Sequence, residues 1–490
     1  MRATGTARQG VTFAVLACAA AAFAMLQSFV IPVLPTLQAA FGTTQGAATW
    51  ILTACLLSAA VCTPIMGRIG DLVGRKRILV VTLVLLVAGS LLAAVADSIG
   101  VMIFARVVQG VGGGVLPLSF GIVRDEFPPE KVAASVGAIA SLTAIGAGLG
   151  VVLTGPIVAT LGYRWLFWFP LIVIGLTAVA AWLFVPEPPA GAGKVAAEER
   201  RDGPAAAGER SERGGIGWLP ALFLTAWLVA LLLALSFGPE RGWLSPAIVA
   251  LLAGAVAAGA LWAAAESRAR RPLIDLRMMR MTAVWTTNLV ALLVGIGLFA
   301  TFGFLPQLVQ TPPEVGYGFG ATVAESGMII FPSCVTQVAV GLLNTRLERR
   351  LGGKALVVAG CLACAASMTA IAFAHHDAAP LYVASAVLGF GVGLSLSGLA
   401  GLIVTAVPAG QIGVASGMNA NVRMIGGSIG AALMASIVQS SVDSGGPPAE
   451  WGYTTGFAVL GASYLLAGAA ALLIPTATGR PLRQPATVPA

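Results

Sequence analysis

Fourteen apolar blocks, each of about twenty residues, constrain the fold of this chain more than any other feature. They run at 11–35, 48–66, 78–97, 100–123, 132–158, 165–185, 217–237, 245–265, 283–308, 322–344, 355–374, 379–405, 412–439 and 454–475. A helix of ~20 residues crosses the ~30 Å hydrocarbon core of a bilayer, whereas a membrane barrel needs ~10-residue stretches of alternating polarity, which this chain lacks. Composition agrees: 10% of the 490 residues are charged and the mean hydropathy is +0.91. A pair of water-soluble domains, the first guess from length, is therefore excluded. The chain reads as an all-α, multi-pass protein of the lipid bilayer of the cell membrane. Arg2 and Arg8 precede the first block in the manner of a secretion signal, but that block is too long and runs on through Pro32 and Pro35 without a cleavage site. It is read as span 1.

The net charge of +8 is a topology signal, and no nucleic-acid partner is expected. With the N-terminus in the cytoplasm and fourteen spans, all but Arg106, Arg164, Arg241 and Arg423 of the 28 basic residues fall in cytoplasmic segments. Both termini are then cytoplasmic. The six cysteines all lie inside apolar blocks and read as small packing residues, Cys361 and Cys364 included. No metal site and no cofactor is expected.

The polar stretch 186–216 mixes both charges with Gly and Pro and reads as a flexible cytoplasmic linker. It separates six spans from eight, and an internal repeat explains the division. Arg68, Ile69, Gly74 and Lys76 after span 2 match Arg346, Leu347, Gly352 and Lys354 after span 10 in register. Equivalent loops make 1–185 and 283–490 two six-helix bundles, the latter with a short cytoplasmic tail. The segment 217–282 is then an inserted pair, spans 7 and 8, with the following loop. Two parallel halves about a midplane site are a transporter architecture.

Four motifs carry a family resemblance. Gly67-Arg68-Ile69-Gly70-Asp71-Leu72-Val73-Gly74-Arg75-Lys76 resembles the G-x-L-x-D-x-x-G-[RK]-[RK] loop of the major facilitator superfamily. Arg106-Val107-Val108-Gln109-Gly110-Val111-Gly112 in span 4 is similar to its R-x-x-Q-G-x-G motif. Gly150, Thr154, Gly155 and Pro156, followed by Tyr163-Arg164-Trp165-Leu166-Phe167, partly match the antiporter motif G-P-x-x-G-G and its W-R-x-x-F loop. Val151, Thr154 and Tyr163 depart from it. Gly413, Gly417, Asn419, Asn421, Arg423, Gly426 and Gly427 resemble the penultimate span of the 14-helix drug:proton antiporters of that superfamily.

The resemblance implies the major facilitator fold, two six-helix bundles plus two inserted helices. It implies a secondary-active exporter of small hydrophobic molecules, working as a monomer and driven by protons. A proton-coupled importer of a small metabolite on the same fold is the alternative; an enzyme is not expected. Arg106, Gln109, Glu325, Asn419 and Arg423 are expected to serve proton coupling or the substrate cavity. Gly67, Asp71, Gly74, Arg75, Lys76 and Arg124 are expected to form a cytoplasmic gate, with Asp71 facing the helix start near Gln411–Gly413 and Arg75 and Arg124 as its partners. Gly110, Gly146, Gly150, Gly155 and Pro156 are expected at close helix contacts.

One departure bears on chemistry. The family's helix 1 aspartate is Leu26 here, which leaves Glu325 as the intramembrane acid, with Asp97 at a span end behind it. The loss of that acid predicts a preference for neutral, zwitterionic or anionic substrates. Spans 7 and 8 carry no mid-span ionisable residue and are expected outside the transport path. His375 and His376 are expected on a solvated external loop, and Trp50, Trp218, Trp243 and Trp451 as interfacial anchors. Aromatic residues of spans 1, 6 and 9 are candidates for the cavity wall or for lipid contact.

Overall fold

The computed structural model describes residues 2–186, 218–268, 276–407, 412–442 and 446–475. All of the expected linker but Pro186 lies outside them. Fourteen long helices follow in the predicted order. Span 1 is Arg2–Phe29, continued through a 3-10 turn into Leu34–Ala40; span 2 is Gln45–Val73; span 3, Arg75–Ala94. Span 4 is Ile99–Gly110 and Val115–Glu126 with a 3-10 turn between them; span 5, Pro129–Leu161; span 6, Trp165–Phe184. Spans 7 and 8 are Trp218–Arg241 and Pro246–Arg268. Spans 9 to 14 are Thr282–Gln310, Val323–Leu351, Gly353–Phe373, Ala378–Ala406, Ile412–Ser440 and Glu450–Ala471. Among the described residues, 13 helices are long and apolar enough to cross a membrane. Span 5 adds the shorter apolar stretch Ile145–Leu161 within a helix of 33 residues.

Local chemistry sets the ends. Thr44 and Ser98 accept hydrogen bonds from the amides of Ala47 and Val101, capping spans 2 and 4. Spans 2 and 10 both stop at a glycine with positive φ, Gly74 at 120° and Gly352 at 79°, and the next helix starts at once. Only glycine takes those angles without strain, so the two loops matched in sequence turn the chain by the same device. Leu176, Trp182 and Val256 lie exposed on the outer faces, as helices solvated by lipid require.

Helix neighbours repeat at a spacing of eight spans. Span 1 packs on spans 5 and 6, as span 9 packs on 13 and 14; span 2 packs on 4, as 10 packs on 12; span 3 packs on 4 and 6, as 11 packs on 12 and 14. The contacts repeat in atomic detail. Gly146 and Gly150 of span 5 face the carbonyls of Ala21 and Met25 so closely that a Cβ would strike them. Gly426 and Gly430 of span 13 face the carbonyls of Leu292 and Ile296 in the same way. Each pair is four residues apart, hence on one helix face, and lets two backbones touch where no hydrophobic effect drives helices together.

Gly110 sits against Ser58 and the carbonyl of Cys55, and Gly155 against Ala324 of the other half. Four of the five expected packing residues therefore occupy close contacts. The fifth does not: Pro156 is exposed, turned about 100° around the helix from Gly155. The halves meet where span 5 packs on span 10 and span 2 on span 13. Gln310 reinforces the first seam, donating through Nε2 to the carbonyl of Pro32 at 3.2 Å and to Ser326 Oγ at 3.0 Å.

Candidate functional site: a central cavity with two arginines

A cavity of about 260 Å³ lies between the halves, walled by spans 1, 2, 4, 5, 7, 9, 10, 12 and 13. Its wall is mostly apolar, with Phe23 from span 1 and Phe299, Phe302 and Phe304 from span 9. Span 6 contributes nothing to it; its Phe169, Trp182 and Phe184 are exposed on the outer surface. Among the described residues no Asp or Glu lines the cavity, and its charged groups are Arg106 and Arg423.

Arg106 is buried to 1% exposure, and its head is held by two hydrogen bonds. Nε donates to the carbonyl of Ile51 at 2.9 Å and Nη1 to Gln109 Oε1 at 2.6 Å. Gln109 Nε2 donates in turn to Ser90 Oγ at 3.1 Å. Arg106 and Gln109 meet because residues three apart share a helix face. The chain Ile51–Arg106–Gln109–Ser90 ties spans 2, 4 and 3 together with no carboxylate. Arg423, half-buried on span 13, makes no hydrogen bond or ion pair among the described residues. Asn419 does not reach the cavity: its Nδ2 donates to the carbonyl of Thr287 at 3.2 Å and to Asn288 Oδ1 at 3.0 Å, joining span 13 to span 9.

Glu325 is displaced from its expected role. It is exposed at the first turn of span 10, where Oε2 accepts from Thr322 N at 2.7 Å and Thr322 Oγ1 at 2.9 Å. Thr322 Oγ1 accepts from Glu325 N at 3.2 Å, which closes a capping box. The pattern T-x-x-E explains its position: this acid satisfies a helix start and leaves the cavity without a carboxylate. Asp97 is exposed too, paired with Arg164 at 2.7 Å. The side chain of Asp71 and the residues near Gln411 lie outside the described set. Of the expected gate, Arg75 donates to the carbonyl of Gly121 at 3.1 Å and pairs with Asp125, which Arg124 also approaches at 3.5 Å. Asp125 was missed because no motif contains it; it follows Arg124 directly. Gly67 is in ordinary contact with Pro117 of span 4.

Three further expectations change. Span 7 places Leu232, Leu235, Ser236 and Pro239 on the cavity wall. The same end and the loop after it contact both halves, with Phe237 against Trp50 of span 2 at 4.8 Å and Trp243 Nε1 of the loop donating to Ser436 of span 13 at 3.1 Å. Absence of charge was a poor guide, because an apolar cavity needs apolar walls. Trp50 and Trp243 are thus contacts between elements rather than free anchors, while Trp451 is exposed and the side chain of Trp218 is outside the described set. His375 is buried at 1% exposure, with Nδ1 on the carbonyl of Ile371 at 2.9 Å and Nε2 on Glu450 at 3.0 Å; His376 alone is exposed. Sequence reading also missed the uncharged hydrogen-bonding groups of the wall, among them Gln27, Gln307 and Gln337. Three glutamines inside apolar blocks were the available signal.

Comparison with known proteins places this architecture. The family model of the Major Facilitator Superfamily matches residues 16–431 and 289–489. The chain is 30% identical over 408 residues to a multidrug resistance protein B homolog of Mycobacterium tuberculosis, covering 81% of this chain and 70% of that protein. It is 28% identical to the multidrug resistance protein Stp of the same species, over 83% of this chain and 71% of the relative. It is 26% identical to the multidrug transporter protein MdtP of Bacillus subtilis, over 80% and 68%. Among solved structures, the crystal structure of a human organic anion transporter superposes with a TM-score of 0.67 at 16% identity, covering 94% of this chain and 99% of that one, a likeness of fold. These relatives are transporters and not enzymes. This multi-pass membrane protein belongs to the Major Facilitator Superfamily and has its relatives among the multidrug transporters.

Proposed function

We propose that this protein exports small, largely hydrophobic molecules from the cytoplasm in exchange for protons, the two halves rocking about the central cavity. The observation that carries this reading is the cavity itself, apolar, aromatic on two sides and set between halves of matching design. With it go four proposed segments: bundles 1–185 and 283–490, the linker 186–216, and the inserted segment 217–282. The names of the bacterial relatives support drug efflux. The charge asymmetry supports cytoplasmic termini, with Arg75, Lys76 and Arg124 on the cytoplasmic side. Asp71 is proposed to work there as a latch, so Asp71→Asn should lower transport while expression persists. The protein acts as a monomer, each chain holding a whole cavity.

Proton exchange has no carboxylate to use at the cavity wall among the described residues. The buried Arg106–Gln109–Ser90 chain lies within the first bundle, and Arg106 is assigned to coupling as a fixed positive charge at the cavity wall rather than as the proton carrier. The test is drug efflux from a pump-deficient bacterial host, paired with substrate uptake into inside-out vesicles. Accumulation in those vesicles driven by an acid interior supports export. Uptake in right-side-out vesicles alone would identify an importer.

A further inference from the structure

The two cavity arginines differ in standing. Arg106 donates to Ile51 and Gln109. Arg423 lines the same cavity with no hydrogen bond or ion pair among the described residues. Its backbone is fixed: Gly295 of span 9 approaches the carbonyl of Arg423 so closely that a Cβ there would strike it. Among the described residues no Asp or Glu lines the cavity. Leu26, at the place of the family's aspartate, is fully buried and off the cavity wall; its neighbour Gln27, an uncharged amide, lines the wall instead. Glu325 caps a helix and Asp97 pairs with Arg164, both exposed. An unpaired cation facing an apolar cavity is costly, and a cationic cargo would add to that cost.

We infer that the cavity takes an amphipathic organic anion, its carboxylate or sulfonate on Arg423 and its aromatic or aliphatic body against Phe23, Phe299 and Phe302. The planar guanidinium fork matches two oxygens of such a group, which a lysine does not. This rests on the efflux reading for direction of transport and is independent of it for charge.

The experiment uses full-length protein in inside-out vesicles and three fluorescent probes. Anilinonaphthalene sulfonate and N-phenylnaphthylamine share one ring system and differ by the sulfonate; ethidium is the cation. Wild-type protein should move the sulfonate faster than ethidium. Arg423→Gln should lower sulfonate transport roughly tenfold or more, the effect of removing a charge-assisted hydrogen bond, and spare the neutral amine. Arg423→Lys should recover part of the loss. Ethidium moved as fast as the sulfonate by the wild type would overturn the inference. So would an equal loss of sulfonate and amine in both variants, which marks Arg423 as structural. Transport of the amine or ethidium without the sulfonate overturns the charge assignment and leaves efflux standing; transport of no probe overturns both.

Discussion

Arg106 shows how one side chain sets the terms for its surroundings. A guanidinium inside a membrane protein must find acceptors, and here it finds a carbonyl and an amide oxygen instead of an acid. Gln109→Leu keeps the volume and removes the acceptor. It should lower stability by about 1–3 kcal/mol, because Nη1 is left buried and unsatisfied, and this reads out as a lower unfolding midpoint in detergent. An unchanged midpoint would mean that Arg106 finds another partner. Glu325 makes the opposite case. Glutamine keeps the oxygen that accepts from Thr322, so Glu325→Gln should leave export near the wild-type rate. Abolished export in a correctly inserted Glu325→Gln protein would return the proton site to the outer turn of span 10. Sequence reading could find Arg106 and Gln109, since their spacing is intrinsic to a helix. It misplaced Glu325, although Thr322-x-x-Glu325 before an apolar run is itself a sequence signature of a helix start.

At the scale of helices, glycine pairs govern approach. Gly146 and Gly150 of span 5 have counterparts in Gly426 and Gly430 of span 13. Gly146→Val and Gly426→Val should each force spans apart and cost about 1–3 kcal/mol, the usual penalty of overpacking. Similar losses of folded protein in the two variants are expected, measured by size-exclusion yield after heating. Tolerance of one and not the other would break the equivalence of the halves. The order and number of spans could be read from apolar blocks, and the repeat from Gly74 and Gly352, because hydrocarbon thickness and positive φ are properties of single segments. The location of span 7 could not, since nothing in an apolar helix distinguishes a lipid face from a cavity face. Cysteines placed at Leu235 and Ser236 should react with a permeant thiol reagent and be protected by substrate, whereas cysteines at Leu244 or Val256, both exposed on the outer surface, should show no protection. Equal protection at all four would remove span 7 from the transport path.

The whole molecule is two bundles of like design with a cavity between them, closed along the seam of spans 5 and 10 by Gly155 against Ala324 and by Gln310 against Pro32 and Ser326. In the proposed rocking of the halves this seam would part while spans 2 and 13, already in contact, stay together with span 7 packed against both. Bulk in the cavity should stop transport without unfolding either bundle. Gly303 gives the means: it lines the cavity, and a Cβ added there meets nothing within 4 Å. Coupled export through this cavity is tested most directly in inside-out vesicles with an acid lumen, by following lumenal pH as a hydrophobic substrate is added. The account predicts substrate-dependent loss of the pH gradient with the wild type and none with Gly303→Trp. Proton movement that ignores the substrate, or that persists undiminished in Gly303→Trp, would contradict it.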